Sequence, residues 1–164
     1  MMRAEKKFFF PIYHFFQSEN YFGTLKASSL KPKAHFIAEE GTFTFLRENF
    51  MSGSYFCMLQ AGYRAKADKP NGTGLSYVVR HRSVSYFLKS GDAFNESLQL
   101  NYDVYENDNK IGSIYQNPTK FHINIDIADK IPPTIQVFIF WLSYRAWIGE
   151  RGWNRIPIAG RIRG

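Results

Sequence analysis

The chain has 164 residues, the length of one domain with room for a real core, and 45% of them are apolar, which excludes a disordered chain. A net charge of +7 favours anionic partners, lipid headgroups or nucleic acid. A single cysteine, Cys57, excludes an intramolecular disulfide and a four-cysteine zinc site.

The opening "MMRAEKKFFFPIYHFF" has a basic head and an apolar run, as a signal peptide does. The run is short, Pro11 and His14 interrupt it, and no small-residue cleavage site follows. It reads as a first strand, with Arg3, Lys6 and Lys7 as a solvated lead-in.

From Phe8 to Ile127 the apolar pattern has period two. In "FHINIDIAD", Phe121, Ile123, Ile125 and Ile127 face one way and His122, Asn124 and Asp126 the other. "LQLNYDVYE" aligns Leu98, Leu100, Tyr102 and Val104, and "TFTFLR" aligns Phe43 with Phe45. "FFFPIYHFF", "AHFIA", "SYFCMLQ", "LSYVVRH", "VSYFLK" and "KIGSIYQ" are further strand candidates. Turn clusters separate them: "EEG", "MSGS", "KPNGTG", "KSGD" and "ENDNK". "YDVYENDNKIGSIYQ" predicts a hairpin turning at Asn107, Asp108 and Asn109. Many short, evenly spaced strands mean an antiparallel meander, barrel or sandwich. No repeat is visible. Cys57, inside an apolar strand, reads as a buried, inert thiol, and a lone cysteine fits a reduced, cytoplasmic setting.

The most apolar stretch is "IPPTIQVFIFWLSYRAWI", from Ile131 to Ile148. Pro132 and Pro133 suit the start of a helix, and Gly149 or Gly152 its end. From 133 to 149 that helix would be about 25 Å long at ~1.5 Å per residue. A bilayer's hydrocarbon core is about 30 Å thick, and Gln136, Ser143 and Arg145 interrupt the apolar run. No transmembrane segment is expected. Ile135, Phe138, Ile139 and Leu142 form one stripe, while Val137, Phe140, Trp141, Tyr144 and Trp147 cover most of the rest. A helix apolar all round is buried all round. The expected fold is therefore mainly β: a closed antiparallel β-barrel of many short strands around a central hydrophobic C-terminal helix. It forms a single domain over 1–150, followed by an Arg/Gly-rich tail over 151–164.

This order resembles the tubby C-terminal-like superfamily over roughly Tyr21 to Ile148. "ENDNKIGSIYQNPTKFHINID" followed by the helix is similar to its LURP-one-related and phospholipid-scramblase branch, which includes small bacterial members. In that branch a polar turn, Ile-Gly-x-Ile, a polar-apolar strand and a hydrophobic helix follow in sequence. The chain has no palmitoylation-type cysteine cluster, acidic calcium loop or tubby terminal signature, so scrambling and calcium regulation are not carried over. The resemblance implies a non-enzymatic domain that contacts phosphoinositides or other anionic lipids.

No catalytic motif is present. "NGTG" lacks the Lys-Ser or Lys-Thr of a phosphate loop, and "ENDNK" lacks the order and closing Glu of an EF-hand. His122 and Asp126 make a poor metal pair. No catalytic residue, metal site or cofactor is expected. The better lead is basic. Arg64, Lys66 and Lys69 precede "PNGTG", and Arg80, His81 and Arg82 follow the next strand. If the two segments pair, these groups meet, with Tyr63 and Tyr77 nearby, and can hold phosphate. The alternative is a charged, solvated hairpin. Two function classes follow. One is a module at an anionic lipid or membrane surface, cytoplasmic or peripheral. The other is a single-stranded nucleic-acid binder using basic and aromatic groups. A small barrel enzyme or apolar-ligand carrier is a third reading, and a carrier needs a hollow interior.

Overall fold

The computed structural model describes residues 1–7, 9–28, 30–49, 53–60, 62–70, 76–90, 99–117 and 122–155, and of 150–155 the backbone alone. Leu98, Phe121, the "NGTG" segment and the tail beyond 155 lie outside the described residues. The strands are β1 (Met2–Lys6), β2 (Ile12–Gln17), β3 (Asn20–Ala27), β4 (Lys33–Ala38), β5 (Gly41–Arg47) and β6 (Ser54–Leu59), then β7 (Gly62–Asp68), β8 (Tyr77–His81), β9 (Val84–Ser90), β10 (Asn101–Glu106), β11 (Asn109–Gln116) and β12 (His122–Ile127). One helix, α1, spans Pro133–Arg155.

Each strand pairs antiparallel with its sequence neighbours, and β1 pairs with β12 to close the barrel. Closure leaves no exposed ladder edge. The alternation seen in the sequence is the inward set: Phe43 and Phe45, Tyr102 and Val104, Ile125 and Ile127 are all buried. On the outward set of β12, Asp126 is exposed but Asn124 is buried.

Three hairpins repeat one geometry. Positive φ at Ser18 and Glu19 (47° and 68°) and at Asn107 and Asp108 (48° and 65°) marks two-residue turns of the I′ kind. Gln60 (55°) sits at the corresponding place before β7. The register then slips by one residue after the second pair, leaving Phe22, Arg64 and Ile111 as bulge residues. The bulge recurs every fourth strand, a periodicity the sequence hides because it is carried by backbone geometry and not by side-chain type. The next residue is small: Gly23, Ala65 or Gly112. A Cβ on Gly112 would lie 2.4 Å from the Asp126 carbonyl oxygen, so only glycine lets β12 approach there.

The chain start departs from the expected lead-in. Met2–Lys6 is itself a strand, because Met2 and Ala4 point into the core while Arg3 and Glu5 point out. Its inward residues are only two, Met2 and Ala4, which is too few to show a pattern. The second strand begins only after Pro11, which has no N–H to give a ladder. β3 and β7 also lack a strand signature: Gly23 and the bulges break their alternation, and Ala65 and Ala67 are weak inward markers.

α1 lies in the lumen. Every residue from Thr134 to Tyr144 is buried, which for a helix beside a closed sheet is met only inside the ring. Phe140 packs edge-on to Tyr13 and Phe15 at 5.2 and 5.3 Å, and Phe45 meets Phe138 at 5.2 Å and Trp141 at 5.7 Å. Two polar residues of the run find local partners, while the Trp141 Nε1–H is buried without one among the described residues. The Gln136 amide donates to the Ile131 carbonyl, and the Ser143 hydroxyl donates to the Ile139 carbonyl, each at 2.9 Å. The helix runs on to Arg155, past Gly149 and Gly152 where the sequence suggested an end. Glycine costs a helix only about 1 kcal/mol against alanine, so it weakens a helix without stopping it. No helix among the described residues is long and apolar enough to cross a membrane.

Candidate functional site

The five basic residues singled out from the sequence fall into two groups, separated by strand parity. On β7, Ala65 and Ala67 face the core, so Arg64, Lys66 and Asp68 face outward. On β8, Tyr77 and Val79 face the core and Arg80 faces outward, opposite Lys66 in the ladder. Arg82 sits exposed in the next turn, at φ 55°. The two segments do pair, and the outer wall carries Arg64, Lys66, Arg80 and Arg82. The Arg64 carbonyl accepts a hydrogen bond from His81 Nδ1 at 2.7 Å, which places the His81 proton on that nitrogen.

This row is partly neutralised. Asp68 accepts from the Ser54 hydroxyl at 2.6 Å and forms ion pairs with Lys66 (3.5 Å) and Arg80. Burial alone would raise the Asp68 pKa. Ser54, Lys66 and Arg80 together outweigh it and hold the carboxyl below its ordinary value. Aromatic rings lie between the charges: Lys66 sits over Phe56 at 5.7 Å, and Phe56 meets the exposed Tyr63 edge-on. Tyr77, expected beside the patch, is instead buried in the core.

Lys69 has the opposite parity and belongs elsewhere. Its ammonium lies over the Tyr77 ring at 5.3 Å, at the rim where α1 leaves the barrel. Burial, then the charges of Arg47 and Arg145, push its pKa down. Arg47 in turn lies over Tyr55 at 5.8 Å, and Tyr55 touches Tyr77. Three cations thus share one aromatic-floored rim.

That rim is basic more widely. In an up-and-down barrel, alternate connections gather at one end. The β1–β2 and β3–β4 connections and the strand ends beside them place exposed Lys6, Lys7, Lys26, Lys31 and Lys33 at the end where α1 leaves, here called the distal rim. Glu5, Glu48 and Asp68 are acidic groups at the same end. The proximal rim, where α1 begins, carries Glu19, Glu39, Glu40, Glu106, Asp108 and Asp129. Of its cations, Arg3 pairs with Glu19 at 3.1 Å, Lys110 with Asp103 at 2.7 Å and Lys130 with Glu106, while Arg82 stands exposed in the β8–β9 turn. The described barrel is therefore polarised along its axis.

The sequence reading missed this rim. A usable mark existed in the first half of the chain: the β1–β2 and β3–β4 turns carry Lys7 and Lys31, and the intervening β2–β3 and β4–β5 turns carry Glu19, Glu39 and Glu40. A cleft of about 380 Å³ opens beside the rim, lined by Lys6, Tyr13, His122 and Trp147 among others. A second cleft, about 460 Å³, lies around Arg3, Glu19, His122 and the buried Asn124. Among the described residues no three His, Cys, Asp or Glu side chains come together to hold a metal ion. No family model, curated protein or solved structure matches the chain.

Proposed function

We propose that the chain is a non-enzymatic binding module that contacts anionic lipid headgroups through its basic residues. The observation that carries this reading is the separation of charge along the barrel axis. Basic groups crowd the distal rim even at the cost of depressing the Lys69 pKa, while acidic groups occupy the other end. Each Lys or Arg brought near an anionic leaflet contributes about 1 kcal/mol, and that contribution fades within the Debye length of ~8 Å at physiological salt. The resemblance of the sequence to the tubby C-terminal-like superfamily supports the same reading, with a cytoplasmic membrane surface, where anionic lipids concentrate, as the proposed place of action.

The test is sedimentation with phosphatidylserine-containing and pure phosphatidylcholine vesicles at low and high salt. Binding only to the anionic vesicles, lost at high salt, is the expected result. Equal binding to neutral vesicles, or no binding, removes the reading. Arg64→Glu with Arg82→Glu is the cleaner reversal on the wall, because Arg80 is tied to Asp68.

One observation favours the nucleic-acid alternative. Lys66 over Phe56 and Lys89 over Tyr105 at 5.1 Å, with exposed Phe87 between them on β9, give a basic and aromatic wall of the kind on which bases stack. Tighter binding to a single-stranded oligonucleotide than to anionic vesicles at matched salt selects it.

A further inference from the structure

We propose that the barrel docks end-on, distal rim first, onto an anionic bilayer, with Phe9, Phe10 and Leu30 inserted among the headgroups. This inference rests on the headgroup-binding reading and adds to it the face, the orientation and an apolar contact.

Phe9, Phe10 and Leu30 are 85%, 57% and 92% exposed. Single exposed apolar residues are ordinary on a protein surface. These are not scattered. Phe9 and Phe10 form the tip of the β1–β2 turn, and Leu30 forms the tip of the β3–β4 turn, both on the distal rim. Backbone bonds brace both turns, the first against the end of β3 and the second against the end of β5. The Ala27 N–H donates to the Pro11 carbonyl at 2.9 Å, and the Arg47 N–H donates to the Pro32 carbonyl at 3.0 Å. Within the turns, the Lys7 N–H donates to the Ile12 carbonyl at 2.8 Å, and the Ser28 hydroxyl accepts from the Leu30 and Lys31 N–H groups. The tips are held out, not folded back.

Charge names the occupant. Exposed Lys6, Lys7, Lys26, Lys31 and Lys33 flank these tips, and Glu19, the one acid between Lys6 and Lys33, sits on the opposite rim. Apolar side chains ringed by ammonium groups match a surface that is anionic outside and hydrocarbon beneath. The ammonium groups meet phosphate and carboxylate, and the rings pass below them. The proximal turns offer no such combination among the described residues. Their tips are Ser18–Glu19, Glu39–Glu40, Arg82–Ser83 and Asn107–Asp108.

The experiment uses site-specific labels. Cys57 is fully buried, so a thiol-reactive, polarity-sensitive fluorophore goes to a cysteine introduced by Leu30→Cys, or by Glu40→Cys on the opposite rim. With phosphatidylserine-containing vesicles, the label at 30 shifts to the blue and the label at 40 does not. Phe9→Ser with Phe10→Ser lowers vesicle affinity about tenfold or more, given the transfer free energy of a phenyl ring, and leaves the salt dependence unchanged. Lys31→Gln with Lys33→Gln reduces the salt dependence. Three results overturn the proposal. If anionic vesicles pellet the protein without a shift at 30, or with one at 40, the end-on pose fails and headgroup binding stands. If the label at 30 shifts blue without lipid as protein concentration rises, the tips meet a second copy of the chain instead. If no vesicle pellets the protein, headgroup binding fails and the pose with it.

Discussion

Lys66 and Arg80 stand opposite each other across the β7–β8 ladder, and one carboxylate, Asp68, answers both. The outer wall is thus less cationic than its sequence suggests. Asp68→Asn is expected to raise retention on an anionic surface while costing under about 1 kcal/mol of stability, the scale of exposed ion pairs. The sign with pH follows from the lowered folded pKa. The stabilisation is fully present above the unfolded aspartate value of ~3.9 and is lost as pH falls through the folded one. Urea unfolding at neutral and acid pH should show the parent losing more stability than the variant.

Lys69 works in the opposite sense. Burial, then Arg47 and Arg145, lower its pKa. At neutral pH the fold therefore carries a strained charge. As pH rises through the lowered folded value, the folded chain releases this proton before the unfolded chain does, and stability increases until the unfolded value of ~10.4. Lys69→Met should remove that rise. The stability of the variant relative to the parent should fall between neutral and alkaline pH, by less than about 1 kcal/mol given the partial exposure. An unchanged difference would mean that the rim cations do not interact.

Leu142 is wholly enclosed among the strands. Leu142→Asp buries an unpaired charge at a cost of several kcal/mol, comparable with the ~5–15 kcal/mol that holds a whole domain together. Loss of the β-sheet circular dichroism signal and of the unfolding transition is the expected outcome. A folded variant altered only in membrane partitioning would place this helix face outside the barrel.

Cys57 is expected to be silent toward thiol reagents in the folded protein. Burial pushes its pKa up to about 12, against a partial lowering by Arg64, so almost no thiolate exists at neutral pH. Modification should begin only within the urea unfolding transition. Rapid labelling without denaturant would contradict the inward orientation of β6.

The sequence by itself determined the architecture. Period two in "TFTFLR" and "NYDVYE" declares strands with one buried face, and an all-round apolar run too short for a bilayer requires an enclosure made of those strands. These are local rules, readable residue by residue. Closure was not local. That Met2 faces Gln17 on one side and Ile125 on the other depends on where the last strand comes to rest, and nothing near residue 2 encodes it. The candidate site divided in the same way. The parity of 64, 66, 80 and 82 against 69 was legible in principle, as was the Lys66–Asp68 pair two residues apart on one strand face, but the partner across the ladder was not: only the β7–β8 register brings Arg80 to Asp68. Arg47, Lys69 and Arg145 are distant in sequence, and only the barrel rim brings their charges within range of one another. The same holds for Phe9, Phe10 and Leu30. Phe9 and Phe10 read as part of a strand, and the turn at Pro11 puts them in water instead, as the separate turn before Pro32 does Leu30. Hydrophobicity states that a side chain gains by leaving water; the path of the backbone decides whether its own fold can take it in.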